Sequence, residues 1–315
     1  MIYTLTISPA IDYVMHTGHI ISGSTNRSSK EEYYWGGKGI NVSVMLKHLG
    51  IKSTALGFIA GFTGRALEEG LNDQGIFTDF VHLENGMTRI NVKIKADEET
   101  EINGQGAIPG ISDFNRLADK LSLLSEGDIL VISGTIPNGL PVDTYAKILE
   151  LFTVKNILAA VDTSGDFLLN TLKHKPFLIK PNIDELKEIF GDTIEPLDGA
   201  RKLHTAGARN VIVSMGAKGA ILLAENGSDY YCGVPCGEML NTVGAGDSMI
   251  AGFLAGYEET HDYRHALNLS VAAGSATAFT PGLAIKSTID DCLTEIEKKQ
   301  SIKSNTLKTN SKVII

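Results

Sequence analysis

The sharpest chemistry in the sequence lies in Asn241-Thr-Val-Gly244-Ala245-Gly246-Asp247, where two glycines and a carboxylate open a helix whose apolar stripe continues through Met249, Ile250, Phe253 and Leu254. Free backbone N–H groups at such a terminus, with the helix dipole behind them, form an anion site, and glycine lets a phosphate approach without a side chain in the way. The aspartate has two readings. It is either a plain helix cap or a general base beside a phosphoryl-binding nest, able to take the proton of an attacking hydroxyl. Two competing nucleotide motifs fail on spacing. A dinucleotide fingerprint counted from Gly244 needs glycine at the position held by Met249, and the one Gly-Lys pair in a glycine cluster, Gly37-Lys38, is followed by Gly39 where a P-loop needs serine or threonine.

Trp35-Gly36-Gly37-Lys38-Gly39-Ile40-Asn41 opens another helix, here with an ammonium and an amide at hand, although a double glycine is often only a tight turn. Lys180-Pro181-Asn182-Ile183-Asp184-Glu185 follows the apolar run Phe177-Leu178-Ile179, so two carboxylates and an amide start a helix at the end of a strand. Sheets of α/β proteins hold their ligands there. Capping accounts for one carboxylate, and Glu185 could also hold a magnesium ion through water, as hard cations prefer. Ser214-Met215-Gly216-Ala217-Lys218-Gly219 is a glycine-bearing turn between the apolar runs Val211 to Val213 and Ile221 to Leu223, and alone it is merely a loop.

These segments need a scaffold, and the periodicity supplies one. Met1 to Ile7 reads as an opening strand; Val42, Met45, Leu46 and Leu49 then mark a helical stripe that Gly50 ends. The same rhythm recurs in Ser53 to Phe58 before Arg65 to Gln74, in Asp128 to Ser133 before Asp143 to Phe152, and in Ile157 to Val161 before Phe167 to Leu172. Apolar strands alternating with helices predict an α/β fold whose parallel sheet is covered on both faces. Two stretches break the rhythm. Residues 12 to 35 carry no helical stripe, and Thr88 to Lys95 alternates Arg89, Asn91 and Lys93 against Ile90, Val92 and Ile94. That suits a small half-exposed sheet whose polar face looks at a ligand or at water, with water favoured on alternation alone. From Lys298 to residue 315 the chain is basic and reads as a frayed tail.

Composition narrows the function classes. The 315 residues are 43% hydrophobic and 21% charged, as expected of a soluble globular chain with a buried core. Lysine and arginine number 28 against 37 acidic residues, a net charge of -9, so no global positive field exists to hold nucleic acid. The amino terminus lacks a leader pattern and no window is apolar enough to span a bilayer, which makes the cytoplasm the expected location and a membrane an unexpected partner. Three cysteines make no disulfide framework, and the Cys232, Cys236 pair lacks the second pair a zinc site needs. Asn268-Leu269-Ser270 fits a glycosylation acceptor but falls on a predicted cytoplasmic helix.

Taken in order, the segments resemble the ribokinase-like carbohydrate kinases, specifically their phosphofructokinase B branch, from Thr4 to about Gly282. The marks are Ser8-Pro9-Ala10-Ile11-Asp12, Gly36-Gly37-Lys38-Gly39-Ile40-Asn41, Ser133-Gly134-Thr135-Ile136-Pro137, Asn182 with Glu185, and Asn241 through Asp247. The resemblance implies one ribokinase-like three-layer domain over 1–297, with a mostly parallel central sheet and a small β-sheet lid built from about 12–35 and 88–104. It also implies that Asp247 is the base and that Gly244, Ala245 and Gly246 form the anion hole. Asp12, Gly36, Gly37 and Asn41 would hold sugar hydroxyls, with Ser133 also on the sugar side; Lys38, Arg89 and Arg27 are the cations for a phosphate already on the sugar. Lys180, Asn182, Ser214, Gly216, Gly219 and Asn241 would face ATP, and Glu185 would face magnesium. Thr88 to Lys93 and Thr100 to Gly104 look most like members that phosphorylate the 6-hydroxyl of fructose 1-phosphate. Tagatose 6-phosphate, fructose 6-phosphate and a non-catalytic sugar-phosphate sensor are the alternatives; members of the family often pair through their lids, and both such a homodimer and a monomer are compatible with the sequence. Ser8 and Trp35 depart from the asparagine and proline common in the branch, and Thr135 keeps the hydroxyl of a common serine.

Overall fold

Strand β1 (Ile2–Thr6) runs parallel to two neighbours, β4 (Ser53–Ala60) and β9 (Ile129–Ser133), with Ile2 beside both Ser53 and Ile129. The computed structural model describes residues 1–137, 139–152 and 155–310, with side chains through residue 301. These residues form two compact units: 1–43, 52–159 and 166–174 in the first, and 44–51, 160–165 and 175 onward in the second.

In the first unit β5 (Phe77–Thr78) and β6 (Val81–Leu83) extend the sheet by pairing in parallel with successive parts of β4. Every residue of β9 is buried and seven of eight in β4, the continuous burial of a strand covered on both faces. Helix α2 (Gly61–Asp73) contributes Leu67 and Leu71, one turn apart, to that cover, and α3 (Ile111–Ser122) contributes Leu117 and Leu121. Shorter helices α4 (Thr144–Glu150) and α5 (Gly165–Leu169) follow; the helix predicted over Phe167 to Leu172 is α5 plus a separate 3₁₀ turn at Leu172–His174.

Helix α1 (Lys38–His48) starts inside the glycine cluster, two residues earlier than a start just after Gly39, with Val42, Met45 and Leu46 fully buried. Gly50, at φ +85°, ends it with its N–H on Lys47 O.

The two stretches that break the rhythm form a separate four-stranded sheet. Its order is β3 (Lys30–Gly36), β2 (Ala10–His16), β7 (Arg89–Lys95), β8 (Glu99–Asn103). One expectation fails here. The polar face of β7 is not given over to water: Asn91 is only 8% exposed, and Arg89 and Lys93 are half-buried, because that face packs around Asp12 of β2.

The second unit continues with parallel strands β10 (Leu158–Asp162), β11 (Leu178–Ile179) and β12 (Asn210–Ser214), then the antiparallel β13 (Ala220–Leu223) and β14 (Asp229–Cys232). Around them lie α6 (Ile183–Phe190), α7 (Pro196–Thr205), α8 (Ala245–Thr260), α9 (Tyr263–Ala278) and α10 (Lys286–Asn310). Helices α8 and α9 pack closely because glycines open the space: a Cβ on Gly252 would stand 2.6 Å from Leu269 O, and one on Gly274 2.5 Å from Met249. Helix α10 runs through residues 298–310, which the sequence reads as frayed; residues 311–315 lie outside the described residues.

Candidate active site

Helix α8 places Asp247. Its N-cap is Gly244, in the left-handed region at φ +79°, where glycine carries no Cβ penalty. Asp247 is therefore the third residue of the helix rather than its cap, and it is 5% exposed. A carboxylate in the first turn is favoured by the positive end of the dipole. The helix is fixed behind it by Ser248, whose N–H and hydroxyl both donate to Gly244 O at 2.8 Å, the hydroxyl also lying 2.8 Å from Thr277 Oγ1.

Lys180 stands beside this terminus. A Cβ built on Gly246 would lie 3.1 Å from its Nζ, so any side chain at that residue would press on the ammonium. Lys180 Nζ is also 3.4 Å from Asp162 Oδ1, and both side chains are 7% exposed. They sit at the carboxyl ends of β11 and β10, which pair in parallel. An ammonium next to a helix N-terminus concentrates positive potential at one point, which suits a polyanionic phosphate chain.

Of the remaining residues predicted to face the nucleotide, Asn182 follows β11, Ser214, Gly216 and Gly219 lie at or just after the end of β12, and Asn241 precedes α8. Asn182 caps α6: its Oδ1 accepts the Glu185 N–H at 2.8 Å while Glu185 Oε2 accepts the Asn182 N–H at 2.9 Å. This reciprocal box satisfies two otherwise unpaired helix donors. Ser214 N–H donates to Pro181 O at 3.1 Å, and Ser214 forms an isolated parallel bridge with Asn182. Gly216 and Gly219 take positive φ, and a Cβ at Gly219 would lie 2.0 Å from Cys232 O. Asn241 is a turn-former: its Oδ1 accepts the Val243 N–H at 3.0 Å and its amide donates to Val243 O and Pro281 O.

In the first unit a different cluster gathers around Asp12 on β2. Asn91 Nδ2 donates to Asp12 Oδ1 at 2.7 Å, and Lys93 Nζ lies 3.9 Å from Oδ2 and 3.6 Å from Glu101. Gly36 makes room for this carboxylate, since its Cβ would stand 2.8 Å from Asp12 Oδ2. A Cβ on Gly37, which sits at φ +133°, would stand 2.9 Å from Thr6 Cγ2 and one on Gly39 2.6 Å from Thr6 Oγ1, and Asn41 donates its N–H to Gly37 O at 2.9 Å. Lys38 is exposed at the start of α1. Burial lowers the Arg89 guanidinium below its ordinary value, with the Asp12 charge working the other way, and its Nε is buried without a hydrogen-bond partner. Ser133 ends β9 fully buried, its hydroxyl likewise unpartnered. Arg27 lies in the exposed loop before β3, engaged through its carbonyl by the Thr17 hydroxyl at 3.3 Å.

Three positions that the sequence reading passed over as site residues belong to these clusters: Asn91 and Lys93 beside Asp12, and Asp162 beside Lys180. The i, i+2 alternation of Arg89, Asn91 and Lys93 was the signal for the first two, since it puts all three on one face. No sequence signal tied Asp162 to Lys180.

The chain as a whole is similar to known proteins. The profile of the pfkB family of carbohydrate kinases matches residues 2–290. The chain is 44% identical over 301 residues to a 1-phosphofructokinase of Bacillus subtilis, covering 94% of this chain and 99% of that one. It is 36% identical over 302 residues to a D-tagatose-1-phosphate kinase of Bacillus licheniformis, again covering 94% and 99%. Among solved structures, phosphofructokinase-2 from Escherichia coli in complex with fructose-6-phosphate superposes with a TM-score of 0.86 at 28% identity, covering 94% of this chain and 99% of that chain.

Proposed function

The chain belongs to the pfkB family of carbohydrate kinases, and we propose that it transfers the γ-phosphoryl group of ATP to the 6-hydroxyl of fructose 1-phosphate, giving fructose 1,6-bisphosphate and ADP. The observation that carries this reading is the near full-length 44% identity to a 1-phosphofructokinase. Asp247 takes the proton of the attacking hydroxyl, and the N–H groups at the start of α8, Gly244 to Gly246, stabilise charge developing on the transferring group. Lys180 draws the phosphate chain to that terminus. Asn182, Ser214, Gly216, Gly219 and Asn241 shape the nucleotide side, several of them through backbone geometry rather than direct side-chain contact.

Asp12, Gly36, Gly37 and Asn41 hold sugar hydroxyls, and Lys38, Arg89 and Arg27 are the cations for the phosphate the sugar already carries. Ser133 offers its buried hydroxyl. Magnesium fits this donor set only as an ion that keeps most of its waters. Glu185 already gives one carboxylate oxygen to the capping box, and among the described residues no three acidic, histidine or cysteine side chains converge on one point. Glu185 would hold it through water, and when bound it would neutralise phosphate charge.

A second reading rests on the D-tagatose-1-phosphate kinase relative. It differs from the tagatose 6-phosphate and fructose 6-phosphate alternatives expected from sequence, because it keeps the phosphate on carbon 1 and changes only the configuration at carbon 4. A cytoplasmic enzyme that pairs through its small sheet completes the proposal. Tyr33 on β3 and Ile102 on β8, both on the face opposite Asp12, offer exposed apolar surface for such a contact, and no helix among the described residues is long and apolar enough to cross a membrane. ADP release with magnesium-ATP decides the substrate, offering fructose 1-phosphate, tagatose 1-phosphate, fructose 6-phosphate and tagatose 6-phosphate in parallel. The highest kcat/KM for fructose 1-phosphate is expected; preference for another ketose phosphate overturns the substrate, and silence on all four with binding retained favours a sensor.

A further inference from the structure

Parallel pairing of β2 with β7 sets Asn91 directly beside Asp12, with Arg89 beside Ala10 and Lys93 beside Val14 on the same face. Asn91 is more than nine-tenths buried, and its Nδ2 donates to Asp12 Oδ1 at 2.7 Å. An ionised carboxylate only accepts, so the NH2 half of the amide is the half turned toward Asp12. That fixes the other half. Asn91 Oδ1 is buried with no hydrogen-bond partner, a condition folded proteins rarely leave uncompensated and one that calls for a functional explanation.

We propose that Asn91 is a specificity-determining, substrate-binding residue: its NH2 holds Asp12 in place, and its carbonyl oxygen accepts a hydroxyl of the sugar phosphate adjacent to the hydroxyl Asp12 accepts. The inference rests on the kinase reading above for the class of ligand. Two acceptors set side by side repel a phosphate and match a pair of neighbouring hydroxyls. The cation for the phosphate lies further along the same face, at Arg89, whose Nε is also buried and unpartnered. The strand thus separates the two ends of a sugar phosphate, with a donor at residue 89 and an acceptor at residue 91. A ligand lacking the matching hydroxyl leaves the carbonyl unpaired in the complex, so the discrimination is steeper than a lost contact alone would give.

The test is a double cycle between enzyme and substrate. Wild type, Asn91→Ala and Asn91→Thr are assayed on the preferred ketose phosphate and on its monodeoxy and epimeric analogues, with ATP KM and Tm followed as controls. In wild type the loss of one particular hydroxyl should reduce kcat/KM by about 10- to 100-fold. Asn91→Ala should lower kcat/KM for the parent sugar by a similar factor, and it should respond little to removal of that same hydroxyl while remaining sensitive to the others. Asn91→Thr, close in volume, has a hydroxyl that can both donate to Asp12 and accept from the sugar, so it should retain the penalty, which also guards against an alanine variant that fails to fold. The proposal is overturned if Asn91→Ala loses the same factor on every analogue, or if Asn91→Thr shows no hydroxyl-specific penalty. Should wild type prefer a ketose phosphate other than fructose 1-phosphate, the substrate reading fails while the cycle, run on that sugar, still decides the role of Asn91.

Discussion

Replacing Gly246 with alanine separates stability from function at the start of α8. The residue is the second of the helix, and its backbone is outside the left-handed region, so alanine fits the chain. In a helix that change stabilises by about 0.5–1 kcal/mol. The new methyl, however, stands 3.1 Å from Lys180 Nζ. Carbon contacts are comfortable at about 3.5–4.0 Å, so the ammonium must give way by about half an ångström. The far end of a lysine moves cheaply, and the fold should not suffer: Tm is expected to rise by about 1–3 °C. Phosphoryl transfer tolerates displacement poorly, with a misplacement of about 1 Å costing up to about 100-fold, so kcat/KM for ATP is expected to fall by about 10-fold. Differential scanning calorimetry and a coupled ADP assay on one preparation read both effects, with the KM for the sugar phosphate as the control. Unchanged kcat/KM for ATP would refute the placement of the phosphate chain between Lys180 and this helix terminus. A lower Tm would refute the claim that the site tolerates a methyl structurally.

Lys180→Met leaves the Asp162 carboxylate buried with its cation removed, and it should cost about 3–5 kcal/mol of stability in urea unfolding. Adding Asp162→Asn should recover more than half of that loss while ATP KM stays raised; full recovery of both would show that the lysine serves only the fold. Burial pushes the Cys232 thiol up to about 12 and the Cys292 thiol up to about 11, whereas Cys236 is exposed. At pH 8 both buried groups stay protonated thiols, the form that does not attack. Maleimide should therefore label one cysteine per native chain rapidly and three in denaturant, and rapid labelling of two in the native chain contradicts this burial.

Features carried by local pattern were legible in the sequence. The helical stripe of Val42, Met45 and Leu46 gives α1, the terminal Gly50 gives its end, and the continuous apolar runs of β4 and β9 give strands buried on both faces. The Gly244-Ala245-Gly246-Asp247 run likewise announces its own helix terminus. Contacts set by pairing register were not legible. Asn91 meets Asp12 across 79 positions of sequence, and only the β2–β7 ladder brings them together. For the same reason alternation leaves the polar face of β7 open between a ligand and water and only favours water: it marks which residues share a face but not what the face meets. Trp35, a departure from the family pattern, has a physical account that needs three dimensions, because it occupies the space left by Gly70 on α2, where a Cβ would stand 2.1 Å from its ring. The tail is a different case. Ile289, Cys292 and Ile296 are buried at helical spacing and anchor α10, and the lysines beyond them are good helix formers that extend it.

The central claim is that Asp247, at the start of α8, takes the proton in phosphoryl transfer. Asn is nearly the same size and fits a position 5% exposed, so Asp247→Asn removes the base with the least disturbance. The measurement is single-turnover transfer from ATP to the preferred ketose phosphate, with binding of each substrate followed by calorimetry. The account predicts a transfer rate lower by about 100- to 10,000-fold with both substrates still bound; a rate within a few-fold of wild type would contradict it.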